Sequence, residues 1–116
     1  MSQMTNSILV DIKKYCHIAS DDDSFDDELI LYLNGLFRRL YTLGIGTGNF
    51  DISDDTTTWA DLLTSEEEKK LHDVKNYIGL RARKIFDPPT SGIQMQALEE
   101  EIKEAGWILN VEADYL

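Results

Sequence analysis

Hydrophobic side chains recur at steps of three and four residues along most of the chain, which is the spacing of one face of an α-helix. The pattern predicts four helices, over about residues 5–17, 24–43, 65–86 and 91–105. Thr5 or Asn6 can cap the first helix, and Thr90 or Ser91 can cap the last. We therefore expect an all-α fold, a small four-helix bundle-like subunit that occupies residues 1–116 as a single domain.

The third and fourth helices have the clearest patterns. Ser65 and Glu68 stand three residues apart, which is the spacing of a capping box at the start of the third helix. Pro88 and Pro89 end that helix, because proline lacks an amide donor and disfavours helical dihedral angles in the residue before it. On the fourth helix Ile93 belongs to the apolar repeat, so we expect it to face the core.

The second helix is predicted to start in an acidic stretch. Six of the eight residues 21–28 are acids, and acids gather at helix starts because the dipole and the free amide groups there favour negative charge. Ile30, Leu31 and Tyr32 widen the apolar stripe that follows beyond what a single core contact requires. We expect this helix to touch neighbours on two sides.

Two segments fall outside the helical pattern. Residues 44–58 mix glycine, asparagine and aspartate in the manner of a loop, and they exceed the usual connection of about 4–6 residues. We expect this loop to be functional, with Trp59 pinning its end onto the body. The tail, residues 107–116, is rich in apolar side chains, and a free monomer usually hides such a tail or loses it to disorder.

Composition and charge narrow the function. The chain carries 22 acids against 11 lysines and arginines, a net charge of −11, which repels the phosphate backbone of nucleic acids. One cysteine and two histidines cannot supply an internal disulfide or a zinc site. No apolar run approaches the roughly 20 residues of a membrane-spanning helix, and the first residues lack the pattern of a secretory signal. We expect a protein of the cytosol, or one assembled there.

Candidate catalytic and ligand motifs are weak. The sequence GIGTGN follows a predicted helix and lacks the lysine of a phosphate-binding loop. The acidic stretches lack the glycine and glutamate of a calcium loop. Cys16 and His17 are adjacent on a helix, where side chains diverge by about 100°, so they do not form a nucleophile and base pair. We expect no catalytic residue, no cofactor and no metal ion, and therefore no enzyme.

Five basic residues leave two interpretations open. They lie at two places in the sequence, as Arg38 and Arg39, and as Arg81, Arg83 and Lys84. In an acidic chain they can contact acidic groups on a neighbouring copy or partner. They can equally form a solvated helix face that balances nearby acids.

Six segments together resemble the small head-tail connector, or adaptor, proteins of tailed bacteriophages, of the kind found in siphophages. The segments are ILVDIKKY, DDDSFDDELILYLNGLF, GIGTGNFDI, TTTWADLL, VKNYIGLRARKIFDPPTSG and EEEIKEAGWILNV. The most specific is KIFDPPTSG after a tyrosine-bearing helix. The resemblance covers about residues 8–111, and the final EADYL matches no pattern.

The resemblance implies an all-helical subunit whose copies form a ring beneath the portal, generally matching the portal's twelve subunits. The ring extends the DNA channel, contacts a downstream stopper or tail-completion protein, and has no catalytic site. DNA passes through without specific binding, and no membrane is involved. The implied location is the head-tail interface of the virion, assembled in the bacterial host cytoplasm. A negative lumen would let DNA slide without sticking, which is a hypothesis that the net charge motivates.

The resemblance and the apolar tail together predict two sets of contact residues. The candidate portal contacts are Trp107, Ile108, Leu109, Val111, Tyr115 and Leu116. The candidate intersubunit or tail-side contacts are Gly44, Ile45, Phe50, Ile52, Arg38, Arg39, Arg81 and Arg83. The competing interpretation is a small acidic helical binding or inhibitory protein that mimics the charge of nucleic acid. Ring assembly distinguishes the two, because a mimic has no reason to form a closed oligomer.

Overall fold

The computed structural model describes residues 3–109, and this part of the chain is all-α, as expected. The five α-helices are α1 (Ile8–Tyr15), α2 (Asp26–Thr42), α3 (Trp59–Leu62), α4 (Leu71–Phe86) and α5 (Gly92–Ile108). Two 3-10 helices, Gln3–Thr5 and Ser65–Lys70, precede α1 and α4. Within residues 3–109 the only β-type pairing is an isolated antiparallel bridge between Ser7 and Thr58.

Caps at the helix starts explain where the observed bounds differ from the predicted ones. Ser7, and neither Thr5 nor Asn6, caps α1, because its hydroxyl accepts a hydrogen bond from the amide of Val10 at 3.2 Å. Ser91 caps α5 in the same way.

Before α4, the capping box lies one residue earlier than predicted. It joins Thr64 to Glu67. The Thr64 side chain accepts a hydrogen bond from the backbone amide of Glu67, and the Glu67 carboxylate accepts one from the backbone amide of Thr64 at 3.1 Å. The first turns after it are a 3-10 helix, so the α-helix itself starts only at Leu71.

The hydrophobic core surrounds α4, which packs against α1, α2 and α5. Its buried side chains form one hydrophobic cluster with those of α1 and α2 and with the fully buried Trp59. Gly79 is the point of closest approach, because the ring of Tyr15 on α1 occupies the space that a Cβ would need. The missing side chain on α4 therefore sets how closely α1 can pack.

Helix α5 is longer than the sequence pattern predicts. It continues through Ile108, whereas the expected end was residue 105. Ala105 and Gly106 are buried against the body, and the amide of Leu109 donates to the carbonyl of Ala105 at 3.2 Å. Packing of the last turn thus outweighs the low helix propensity of Gly106. The first residues of the predicted tail are helical, and residues 110–116 lie outside the described part.

None of the helices within residues 3–109 combines the length and the apolar character needed to cross a membrane.

Candidate interaction surfaces

The loop that follows α2 is tied to the body at its beginning. Gly44, with φ +95°, and Ile45 donate backbone hydrogen bonds to the carbonyls of Tyr41 and Leu40, at 3.0 and 2.9 Å. This pattern is the Schellman motif, in which the second residue past the helix packs against the last turn. Ile45 is accordingly buried. Its side chain completes the subunit's own core, which corrects the expectation that it contacts a neighbour.

The middle of the loop is held by one side chain of α2. The amide group of Asn34 donates to the carbonyl of Ile52 at 2.9 Å, and its oxygen accepts from the Ile52 amide at 2.8 Å. Ile52 is buried, so its side chain also serves the core and offers no surface to a neighbour. Phe50 is half-buried, edge-to-face against Phe37 at 5.1 Å. Of the predicted loop contacts, Gly44 remains exposed and Phe50 partly so.

A buried charged network anchors α3, the turn that closes the loop. The indole Nε1 of Trp59 donates to Asp11 Oδ2 at 2.8 Å, and Lys75 Nζ lies 3.0 Å from the same oxygen. The ammonium group also lies 5.7 Å from the centre of the Trp59 ring. The network joins α1, α3 and α4 in the interior, where each charge has an opposite partner.

Sequence reasoning missed this network, although part of its signal was present. Lys75 stands four residues after Leu71 and three before Ile78, so it occupies an apolar position of α4. A charge at such a position needs a buried partner. Asp11 lies between the apolar residues of α1, and nothing in the local pattern connects it with Lys75, 64 positions away along the chain.

A second buried cation organises the acidic stretch before α2. Lys13 Nζ donates to the carbonyl of Asp22 at 2.9 Å and pairs with Asp26 at 2.6 Å. The Ser24 hydroxyl and amide donate to Asp22, and these bonds lower the pKa of that carboxyl. The predicted acidic helix start therefore also supplies the carboxylate that pairs with Lys13 of α1.

The five basic residues singled out from the sequence do not form one cluster. Arg38 lies on the outward face of α2 in an exposed ion pair with Asp51 at 3.2 Å, and Arg39 is exposed next to it. Arg83 lies on another side of the molecule, 3.8 Å from Asp87.

Arg81 and Lys84 line a groove of about 240 Å³ between α2, α4 and α5. Arg81 donates to the hydroxyl of Tyr77 at 3.1 Å and lies over that ring, 5.5 Å from its centre. Lys84 pairs with Glu99 at 2.9 Å. Arg81 is half-buried, so the groove presents a guanidinium group held in place rather than a mobile surface charge.

Large apolar side chains are exposed at several places on the surface. They are Phe25, Leu31, Tyr41, Ile85, Ile93, Trp107 and Ile108. Trp107 is 58% exposed and Ile108 55%, while Leu109 is half-buried. The other candidate portal contacts, Val111, Tyr115 and Leu116, lie outside the described residues. Ile93 is 84% exposed, so the prediction that it faces the core was wrong.

The error at Ile93 has a simple physical cause. Only Leu98, Ile102, Ala105 and Gly106 of α5 are buried. Ile93 precedes Leu98 by five residues, about 500° along the helix, so it points well away from the buried face. Ile93 is apolar like the buried residues of α5, but its angular position around the helix differs from theirs.

Cysteine, histidine, aspartate and glutamate are residues of this chain that could support nucleophilic or metal chemistry. Within residues 3–109, no three histidine, cysteine, aspartate or glutamate side chains converge into a metal site. Cys16 is buried, and burial raises the pKa of its thiol to about 11, with Asp87 adding to the effect and Arg83 opposing it. His17 pairs with Asp87.

A small helical subunit with exposed apolar side chains on three of its helices is typical of an assembly protein. The family model for Phage connector protein matches residues 8–116, and the chain belongs to this family. Membership assigns it a structural connector role in a phage virion, in association with portal or other head-tail components. No curated protein and no solved structure matches the chain.

Proposed function

We propose that the chain forms a ring under the portal, joins the DNA-filled head to the tail and extends the DNA channel. The observation that carries this proposal is the match to the connector family over residues 8–116, nearly the whole chain. We further infer a ring of twelve copies in a siphophage, acting in head completion without catalysis. The copies would assemble in the bacterial host cytoplasm.

The end of α5 is the proposed portal contact. Trp107 and Ile108 project from its last turn and are more than half exposed, although both are large and apolar. An exposed tryptophan at the rim of a small protein is the kind of residue that dominates a protein interface when a partner buries it. Val111, Tyr115 and Leu116 follow directly in sequence and extend the same apolar character.

Net charge supports passage of DNA through the ring. With −11 charges on each copy, a ring lumen would repel phosphates, so the duplex would slide without specific binding. The opposite end of the ring would present the surface for the stopper or tail-completion protein.

Light scattering of the purified chain, alone and with its cognate portal, tests the proposal. We expect a portal complex with a fixed number of connector copies. The double variant Trp107→Ala, Ile108→Ala should lose portal binding, whereas Phe25→Ala, another exposed aromatic residue, should keep it. A chain that ignores the portal and binds a basic partner one to one would overturn the proposal and favour the charge mimic.

A further inference from the structure

The two most exposed large apolar side chains lie on the outward faces of α2 and α5. Leu31 is 76% exposed and Ile93 is 84% exposed. Beside Leu31, the outward face of α2 and the loop residues Asp51 and Ile52 form an open groove of about 420 Å³. Apolar side chains this exposed lower the free energy when a partner removes them from water.

The two faces line different grooves of one copy. Tyr32 of α2 packs edge-to-face on Phe86 of α4, with ring centres 6.1 Å apart, and Glu99 of α5 pairs with Lys84 of α4. Tyr32 of α2 and Ile102 of α5 flank one groove beside α4. Leu31, Gly35 and Arg38 line a separate groove with the loop, and Ala97 lies in a third groove beside Arg83 and Pro89.

The outward faces carry complementary residues at the same spacing. On α2, an apolar residue, a small residue and a cation follow at steps of four and three: Leu31, Gly35 and Arg38. On α5, an apolar residue, a small residue and an acid follow at the same steps: Ile93, Ala97 and Glu100. All six residues are exposed. The first and last positions of each set are about 10.5 Å apart along the helix.

We propose that α2 of one copy packs in parallel against α5 of the next copy in the ring. Leu31 then meets Ile93, Gly35 faces Ala97, and Arg38 pairs with Glu100. The contact joins two different faces of the same chain, which is the heterologous type that closes into a ring when the rotation between copies permits. The inference rests on the proposed ring and names the surfaces that form it.

Charge favours this register over other contacts between copies. A chain with a net charge of −11 repels its own copies at most relative orientations. Arg38 is held only by the exposed pair with Asp51, and within residues 3–109 Glu100 forms no ion pair. The proposed register places cation against acid where the two helices touch.

Helix packing favours it as well. A Cβ at Gly35 would meet no atom within 4 Å, so α2 has a flat spot at the centre of the contact. Opposite Ala97, such a spot lets two helix backbones approach closely. In this register Trp107 is level with position 45 of the neighbour, beyond the end of α2 at Thr42. The proposed portal contact thus stays free when the ring forms.

Disulfide cross-linking of Gly35→Cys, Ala97→Cys tests the contact directly, with the chain alone and with the cognate portal. Positions 35 and 97 line different grooves of one copy, so oxidation should join neighbouring copies into a ladder of dimers, trimers and larger species. The matched control is Ala60→Cys, Ala97→Cys, which has the same number of thiols and should give no ladder. Native Cys16 is buried, with its thiol pKa at about 11, so it does not contribute.

The outcomes separate this inference from the proposed function. If the wild-type chain forms rings but the 35/97 variant gives no ladder, the α2–α5 contact is wrong while the ring stands. If cross-linking stops at dimers, the contact is symmetric and the inference fails. If the wild-type chain forms no ring, alone or with the portal, both fall together.

Charge reversal supplies a second, independent readout. Arg38→Glu and Glu100→Arg each place like charges in the contact, and each should weaken ring assembly by about tenfold or more. A one-to-one mixture of the two variants should restore assembly, because alternating copies again pair opposite charges. Equal assembly by the single variants, or no rescue in the mixture, would overturn the pairing of Arg38 with Glu100.

Discussion

The two tryptophans mark two regions with opposite tasks. Trp59 is fully buried and bonded to Asp11, so it fixes the loop end to α1 and α4. Trp107 lies on the last turn of α5 and is 58% exposed, without a comparable role in the core. The same residue type therefore stabilises the subunit in one place and is available to a partner in the other. The two residues differ in their surroundings, because Trp59 contacts the buried charges of Asp11 and Lys75.

Alanine substitution of each tryptophan gives the largest expected contrast. Trp59→Ala leaves a large cavity and removes a buried hydrogen bond, so it should lower the free energy of unfolding by about 3–5 kcal/mol. Trp107→Ala removes an exposed side chain and should change it by less than about 0.5 kcal/mol. Urea unfolding followed by circular dichroism measures both. Equal losses would contradict the division into an anchor and a contact region.

Removing the cation beside Trp59 sharpens the account of the anchor. Lys75→Met leaves Asp11 buried without its ammonium partner and should lower the free energy of unfolding by about 3 kcal/mol. Lys14→Met is the matched control, because Lys14 is exposed and lies 3.8 Å from the same carboxylate. The control should change stability by less than about 0.5 kcal/mol. A double variant, Asp11→Leu with Lys75→Met, should recover part of the loss.

Two glycines extend the comparison to the backbone. Gly79→Ala forces the Tyr15 ring away from α4 and should be destabilising by about 1–3 kcal/mol. Gly35→Ala has open space and a helical backbone, so it should be neutral or stabilising by up to about 1 kcal/mol. Thermal melts of the two variants provide the measurement. Destabilisation by Gly35→Ala would show that the outward face of α2 is packed rather than free.

The smallest effect concerns Cys16, in the interior next to Asp87. Its thiol pKa in the fold, about 11, lies above the ordinary value of 9.0. The fold therefore favours the neutral thiol, and its contribution to stability is complete below about pH 9 and is lost as the pH rises towards 11. Chemical unfolding at pH 8 and pH 10.5 should show a steeper fall for the wild type than for Cys16→Ala. Identical slopes would indicate that the thiol does not titrate differently in the folded and unfolded chains.

Helix periodicity predicted the class of fold but not every helix end. The apolar repeat of α4 and the stop at Pro88 and Pro89 are local sequence signals. They were sufficient to predict where this helix ends. The end of α5 depends on packing of Gly106 against the body, which no local pattern contains. Ile93 was assigned to the core by residue type, although its helical angle already separated it from Leu98.

Which apolar side chains are exposed was harder to predict than the fold. Trp107 and Ile108 were predicted to be surface contacts because they belong to an apolar stretch, and both are exposed. Ile45 and Ile52 have the same composition-based signal, yet a Schellman cap and the Asn34 side chain bury them. Both interactions join distant or specially shaped backbone segments, which explains why residue type alone misled.

The central claim is that copies of this chain close into a ring on the portal. Native mass spectrometry of the reconstituted complex counts the copies directly. The account predicts a single species in which connector and portal subunits are equal in number, and at least about tenfold weaker assembly of this species with the Arg38→Glu variant. A portal complex with one or two connector copies, or a connector that stays monomeric beside an intact portal, would contradict it.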